Sequence, residues 1–548
     1  MGIRYRFQDI SLTSGQVLQL APMGITCVVG ANNSGKSQLL KDLVEVVRVG
    51  DGAGQYFGAP PKQRKVARSA TLFFEEATDA DVALWVERNS IAVDMGMPGG
   101  RTFPPTSIQS TEAQVRGAVA QGAKHGIHSL ADVFIRRVPA GGLMGYATGE
   151  LKTDSSPGSL NNWLIRALLE NGDIERELSR IVREMFGTPC FVDRVHFPPV
   201  LRTGEVSAPS PTLDNIPHAY SKAVEACPLL DDQGDGIRSF VGLALLVIAL
   251  SPSVLLLDEP ESFLHPAQAR AVGRWLSREA SARDMQVIVA THDRDLLVGM
   301  LSAPTADVEI VRLRRAADGA EAKGLTKADL STHWASPTMR YSNVLQGLFH
   351  ERVVVCEGDV DCRFYAAAMD HAAEERDKRH VADNTLFIPS SGDGGVAKLA
   401  RVLDDLDVQA SAILDFDALS RKQNVKSIVE ALGSDWDSEL NQAWQDMEKH
   451  IPKATRDTFW GRTKKLGLTG FPPGDANRDA AALVKLLASR RVHLLEVGEL
   501  EDLHRAEGKG PGWISGALDS GAHKMLDVQK LILRVLPELD DSLRSGGA

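Results

Sequence analysis

The sequence predicts an α/β chain made of two successive sheet-and-helix parts, and three observations predict it. Near the start, GITCVVGANNSGKSQLLKDLVEVV runs from an apolar segment through a glycine-rich loop into a helix-period pattern. In the middle, VLLLDEPE and MQVIVATHD are apolar runs that end in acids, a threonine and a histidine. Later, VVVCEGDVD and ASAILDFD repeat the theme with carboxylates at their ends. Short apolar runs bounded by glycine or acids and alternating with helical periodicity indicate buried parallel strands.

The chain has 548 residues, 43% hydrophobic and 24% charged, which is too long for one core and implies roughly two to four domains. A formal charge of −11 means that nucleic-acid binding would use a local basic surface rather than the field of the whole molecule. Cys27, Cys190, Cys227, Cys356 and Cys362 show no short paired spacing of the kind zinc ribbons or disulfide scaffolds use, so a reducing cytoplasm is expected. The start, MGIRYRFQDI, has no apolar signal core, and no run reaches the roughly 18 apolar residues a bilayer span needs. The expectation is a cytoplasmic chain with no membrane partner.

In chain order, residues Ile25 to Val29 read as a strand, and Gly30 to Ser37 fit G-x-x-x-x-G-K-S. Backbone N–H groups of Gly30, Asn32, Asn33, Ser34 and Gly35 at a helix start can cradle phosphate oxygens. Lys36 then reaches the β- and γ-phosphates, and Ser37 ligates Mg²⁺. A chance glycine-rich turn is the bland alternative, weakened by the strand before and the helix after. Residues 73 to 226 are harder to read, and about 85–200 is expected to be a helical insertion and a possible dimerisation region. Within it Leu160 to Phe186 reads as helix with an apolar stripe, more often core or a dimer seam than a ligand site.

Next, GDGIRS, with Gly236 and Ser239, opens a strongly apolar helix, and Val254 to Leu257 follow as a buried strand. That strand delivers Asp258, which can hold Mg²⁺, and Glu259, which can orient an attacking water. The next strand ends at Thr291 and His292, where a γ-phosphate sensor would sit at the carboxyl edge of an α/β sheet. In the second part, Glu357 and Asp361 close one strand and Asp415 and Asp417 another. If the two strands are parallel neighbours, the four acids share one edge. Their repulsion calls for divalent cations, and oxygen ligands favour Mg²⁺ or Mn²⁺ over zinc.

Residues 1–340 resemble the ATP-binding-cassette ATPases of the RecF and SMC type. The resemblance rests on the phosphate loop, the turn from Gly234 to Ser239, LLLDEPE with LHP after it, and ATHD. It implies ATP with Mg²⁺ at Ser37 and Asp258, and a dimer of heads in which Gly236 and Ser239 of one head meet the nucleotide of another. The turn departs from the common L-S-G-G-Q, no glutamine loop can be placed, and no long heptad array points to SMC arms. Residues 341–548, with E-G-x-x-D and then D-x-D, resemble a Toprim domain. The order of the two parts resembles the OLD (overcoming lysogenisation defect) nucleases, the group that includes the Gabija anti-phage nuclease.

That resemblance implies two-metal phosphodiester hydrolysis by Glu357, Asp361, Asp415 and Asp417, with Glu501 of HLLEVGELEDLHR as a further ligand and Asp502 its neighbour. It also implies a lysine that stabilises the transition state: Lys524 follows the acidic motif, whereas Lys464 and Lys465 precede it and could instead line a DNA groove. Lys524 is the lysine expected in that role. Asp359 and Glu499 flank the pattern and read as solvated surface. The expected activity is an ATP-dependent DNA endonuclease or nickase of antiviral defence, a homodimer or larger, with DNA and a helicase or other defence protein as partners. The alternatives are a RecF-like DNA-repair ATPase whose second domain binds metal or a partner without cutting, and a primase or topoisomerase. The last lacks a zinc module and a persuasive tyrosine context.

Overall fold

The computed structural model describes residues 5–49, 66–74, 77–92, 100–103, 109–120, 131–147, 160–209, 211–212, 215–250, 252–303, 307–316, 319–325, 343–390, 393–504 and 511–540. The chain divides into two compact units, Met1–Ser331 and Thr332–Ala548. The boundary expected at 340 lies outside the described residues.

The first unit is built on a six-stranded sheet. Its strands are β1 (Gly24–Val29), β2 (Ile135–Val138), β3 (Val254–Asp258), β4 (Gln286–Ala290), β5 (Val308–Ala316) and β6 (Gly319–Leu325), in the order β6-β5-β1-β4-β3-β2. All neighbours are parallel except the β5–β6 hairpin. Every residue of β1, β3 and β4 is buried, as expected of parallel strands covered on both faces. A smaller antiparallel sheet of Tyr5–Leu12, Val17–Gln19 and Ala67–Phe74 packs beside it. Buried Gln286 ties the two together, donating to the carbonyls of Phe7 and Ala21 and accepting from the Phe7 N–H, each at 2.8 Å.

Helices α1 (Lys36–Val49), α2 (Asp235–Leu245), α3 (Pro266–Ala282) and α4 (Arg294–Leu301) connect or follow these strands. Gly273 and Gly299 let α3 and α4 touch backbone to backbone, since a Cβ on Gly299 would stand 2.1 Å from the Arg270 carbonyl.

The stretch about 85–200 is not a purely helical insertion. Among its described residues are a small sheet of Ile91–Ala92, Gly100–Thr102 and Gln109–Thr111, and also β2, an edge strand of the main sheet. The arginines of β2, Arg136 and Arg137, mask its strand character in the sequence. The expected Leu160 to Phe186 helix is two, Leu160–Glu170 and Gly172–Phe186, because the Asn171 side chain caps the second at the Asp173 N–H. Beyond them Asp193 accepts from Arg202 Nε and faces His196 Nδ1 (2.7 and 2.9 Å), which binds the hairpin of Cys190–Asp193 and Val200–Thr203 together.

The second unit holds a four-stranded parallel sheet of β7 (Arg352–Cys356), β8 (Thr385–Pro389), β9 (Gln409–Leu414) and β10 (Val492–Leu494), in the order β8-β7-β9-β10. Helix α5 (Asp359–Glu375) follows β7, and α6 (Asp393–Asp405) joins β8 to β9. Between β9 and β10 the chain passes through several helices, among them α7 (Arg456–Leu466). No helix among the described residues is long and apolar enough to cross a membrane.

Candidate functional site

In the first unit the loop after β1 turns on residues with positive φ: Gly30 at 148°, Asn33 at 64° and Gly35 at 102°. At Gly30 the turn admits only glycine, because a Cβ would sit 2.2 Å from the Leu313 carbonyl of β5. Lys36 folds back along the loop, its Nζ 2.9 Å from the Gly30 carbonyl and 3.1 Å from that of Ala31. Burial lowers the pKa of this ammonium, and the nearby charges of Glu259, Asp258 and Glu261 oppose that shift.

Asp258 stands at the end of β3, two strands from β1, and accepts the Ser37 hydroxyl at 2.8 Å. Its other oxygen is 3.7 Å from Arg137 of β2. Glu259 has a φ of 50° and its carboxylate lies 3.2 Å from His292 Nδ1. The expected general base and phosphate sensor are therefore neighbours at the ends of adjacent strands. An open cleft of about 1120 Å³ joins Asn32, Asn33, Ser34, Gly35, Lys36, Ser37 and Glu259 to two cations the sequence reading overlooked, Lys41 and Arg315. Stacked backbone N–H donors, a hydroxyl paired with a carboxylate, and cations around a cleft of this size suit a nucleoside triphosphate with Mg²⁺.

Two further residues were overlooked. Glu261 is 7% exposed and accepts from the Thr291 hydroxyl, whose oxygen also accepts the Asp293 N–H at 2.9 Å. This chain ties the turn after β3 to the turn after β4. Burial raises the Glu261 carboxyl to about 7. Arg137 is the other, in a strand the sequence hides. One expectation is corrected: Ser239 is only 2% exposed, enclosed within α2. The helix is buried on nearly every side from Ser239 onward, so a hydroxyl there cannot meet a second molecule's nucleotide. Gly236 lies in the first turn, where the Phe263 carbonyl would stand 2.8 Å from a Cβ.

In the second unit β7 and β9 are parallel neighbours, and their acids meet at one edge. Glu357 Oε1 accepts the Asp415 N–H at 3.4 Å. Burial first, then the charge of Asp415 and, more weakly, those of Asp417 and Asp361, lift Glu357 to about 7. Burial and the charges of Asp361, Asp417, Glu501 and Glu499 lift Asp415 to about 7 as well. Asp361 is raised by burial and by Glu501, while its Oδ2 accepts the Gly358 N–H at 2.7 Å and closes the first turn of α5. Asp359 points elsewhere and pairs with Arg363 at 2.7 Å, both half exposed or more.

Two expectations are corrected here. Glu499 is not a solvated surface acid: its side chain is 12% exposed and its Oε1 lies 2.9 Å from Lys464 Nζ. Lys464 also approaches Asp417 at 3.5 Å, so α7 supplies the lysine at this cluster. Lys524 ends a short turn after the acidic motif with its side chain exposed, and no contact joins it to these acids. The donors are all oxygen, which fits Mg²⁺ or Mn²⁺. Among the described residues no three His, Cys, Asp or Glu side chains converge tightly enough to chelate an ion.

Residues 228–299 match a family described as an AAA domain, putative AbiEii toxin, Type IV TA system. An uncharacterized protein of Methanocaldococcus jannaschii, MJECL11, is 31% identical over 64 residues, 12% of this chain; the match spans 56% of that relative, about half its length. Among solved structures, an Smc head bound to the C-winged helix domain of ScpA aligns at 13% identity and a TM-score of 0.35, over 60% of this chain and 99% of that one. A Pyrococcus furiosus Smc head bound to the C-terminal domain of ScpA aligns at 12% and 0.33, over 60% and 99%. The SMC head domain of Thermotoga maritima aligns at 13% and 0.29, over 59% and 99%. The AAA-domain match over residues 228–299 and the phosphate-loop geometry of Gly30 to Ser37 mark the first unit as a P-loop ATPase.

Proposed function

We propose that this chain couples its P-loop ATPase to a divalent-metal-dependent DNA endonuclease or nickase of the OLD kind, with the second unit a Toprim domain. The observation that carries the reading is the meeting of Glu357 and Asp415 across parallel β7 and β9, both partly buried and both raised to about 7. Acids placed this way gain a counter-charge when a cation binds, and Glu357, Asp361, Asp415, Asp417 and Glu501 would hold it. Bound Mg²⁺ or Mn²⁺ supplies a Lewis acid and lowers the pKa of water. Lys464, paired with Glu499 and Asp417, holds positive charge where a phosphodiester would approach.

On the ATPase side, Lys36 and the loop N–H groups bind the phosphates, Ser37 and Asp258 hold Mg²⁺, Glu259 orients water and His292 positions Glu259. A homodimer or larger assembly, a helicase or another defence protein as partner, and a role against phage complete the reading. It agrees with the toxin-system description of the family that matches residues 228–299. Supercoiled plasmid incubated with the full chain, ATP and Mg²⁺ or Mn²⁺ tests it: nicked or linear product is expected. Unchanged DNA with sustained ATP turnover would leave the RecF-like repair ATPase, and relaxed closed circles would indicate a topoisomerase.

A further inference from the structure

Segment 453–466 carries Lys453, Arg456, Arg462, Lys464 and Lys465 against one acid, Asp457, in a chain whose net charge is −11. Helix α7 buries Phe459, Trp460 and Thr463 and turns Thr458, Gly461, Arg462 and Lys465 outward. At 100° per residue these four fall on one side of the helix. Arg462 is held in place, its guanidinium over the Phe459 ring and donating to the Gly470 carbonyl at 2.6 Å. Lys465 has no carboxylate partner among the described residues.

Gly461 sits in the middle of this face, and a Cβ there would meet nothing within 4 Å. Glycine inside an exposed helix costs about 1 kcal/mol relative to alanine, and no packing among the described residues accounts for it. The face is continuous with the acid cluster, because Lys464 on the same helix reaches Glu499 and Asp417.

We infer that the Thr458–Gly461–Arg462–Lys465 face of α7 is where the phosphate backbone of duplex DNA docks, feeding it toward the acids of β7 and β9. The assignment rests on the DNA-cleaving reading of the second unit and adds to it the surface that receives the substrate. Charge complementarity selects the occupant: a polyanion gains from these cations by counterion release, and the small side chains of Thr458 and Gly461 let a phosphate come close.

The test uses the full chain and a short fluorescein-labelled duplex, with Ca²⁺ in place of Mg²⁺, and reads affinity by anisotropy across a salt series. Gly461→Ala should bind as the native protein does. Gly461→Glu and Lys465→Glu should each bind on the order of tenfold more weakly, and Lys465→Glu should flatten the log–log salt slope by about 0.9, the loss of one phosphate contact. ATP turnover should be unchanged in all three, and melting temperature should fall in none of them and rise by a few degrees in Gly461→Ala, so a folding defect would be visible. Lys530→Glu, a reversal elsewhere on the unit's surface, should bind normally. If native protein binds DNA and Gly461→Glu and Lys465→Glu bind equally well with the same slope, the docking face is wrong while the nuclease reading stands. If native protein neither binds nor cuts DNA, the nuclease reading itself fails. Displacement of the duplex by poly-glutamate at matched charge would make this a site for an acidic protein and overturn the assignment.

Discussion

Lys464 Nζ lies 2.9 Å from Glu499 Oε1, joining the last turn of α7 to the acidic motif after β10. The pair raises the pKa of Lys464, chiefly through its hydrogen bond to Glu499, so the ammonium keeps its charge through the physiological range. Lys464→Ala should cut plasmid cleavage by about tenfold or more while ATP hydrolysis continues. Lys524→Ala should cleave nearly as the native protein does. The reverse ranking, measured on supercoiled plasmid in Mn²⁺, would return the role to Lys524.

Ser37 and Asp258 share a 2.8 Å hydrogen bond beside Lys36, and Glu259 faces His292. Lys36→Ala removes the cation aimed at the phosphates and should abolish nucleotide binding, read with a fluorescent ATP analogue. Glu259→Gln should bind ATP with near-native affinity and lose turnover by about a hundredfold. Equal phosphate release from native protein and Glu259→Gln would take Glu259 out of the reaction. Ser239→Ala should leave turnover intact, because that hydroxyl is buried in α2.

Charge placement at β7 and β9 separates metal chemistry from mere acidity. Glu357→Ala, Asp415→Ala and Asp417→Ala should each lower DNA cleavage far more than tenfold and spare ATP hydrolysis. Asp359→Ala breaks only an exposed pair with Arg363, worth well under about 1 kcal/mol, and should cut normally. Full cleavage by Glu357→Ala and Asp415→Ala would reduce the cluster to the acidic edge of a binding domain.

The same acids set a pH dependence of stability. Glu357 and Asp415 titrate at about 7 in the folded chain, above the ordinary carboxylate range, so folding favours their protonated forms. That contribution is complete below about pH 4 and is lost as pH rises through about 7. At about 1.4 kcal/mol for each pH unit between the two values, Glu357 alone accounts for on the order of 3 kcal/mol. In EDTA the second unit should melt at a lower temperature at pH 8 than at pH 5.5. Glu357→Gln, neutral throughout, should flatten that slope, and Mn²⁺ should raise the melting temperature most at pH 8. Melting curves independent of both pH and Mn²⁺ would contradict the burial of uncompensated charge.

The phosphate loop could be read from its own residues because its chemistry is local: glycines that permit the turn, backbone donors, a lysine and a serine all lie between Gly30 and Ser37. Strand ends carrying Asp258, Glu259, His292, Glu357 and Asp415 were equally visible, since a buried parallel strand is a short apolar run whichever neighbour it takes. Neighbours are what a run of residues does not encode. The acids of β7 and β9 meet only because those two strands pair directly, and β2 joins the main sheet despite two arginines because it lies at the edge of that sheet. Lys464 reaches Glu499 through the packing of Phe459, Trp460 and Thr463, which turns one side of α7 toward the acids. Ser239 shows the opposite error: its place in a turn-like motif suggested a contact outward, but the helix it opens is enclosed on nearly every side, and burial there depends on what surrounds α2.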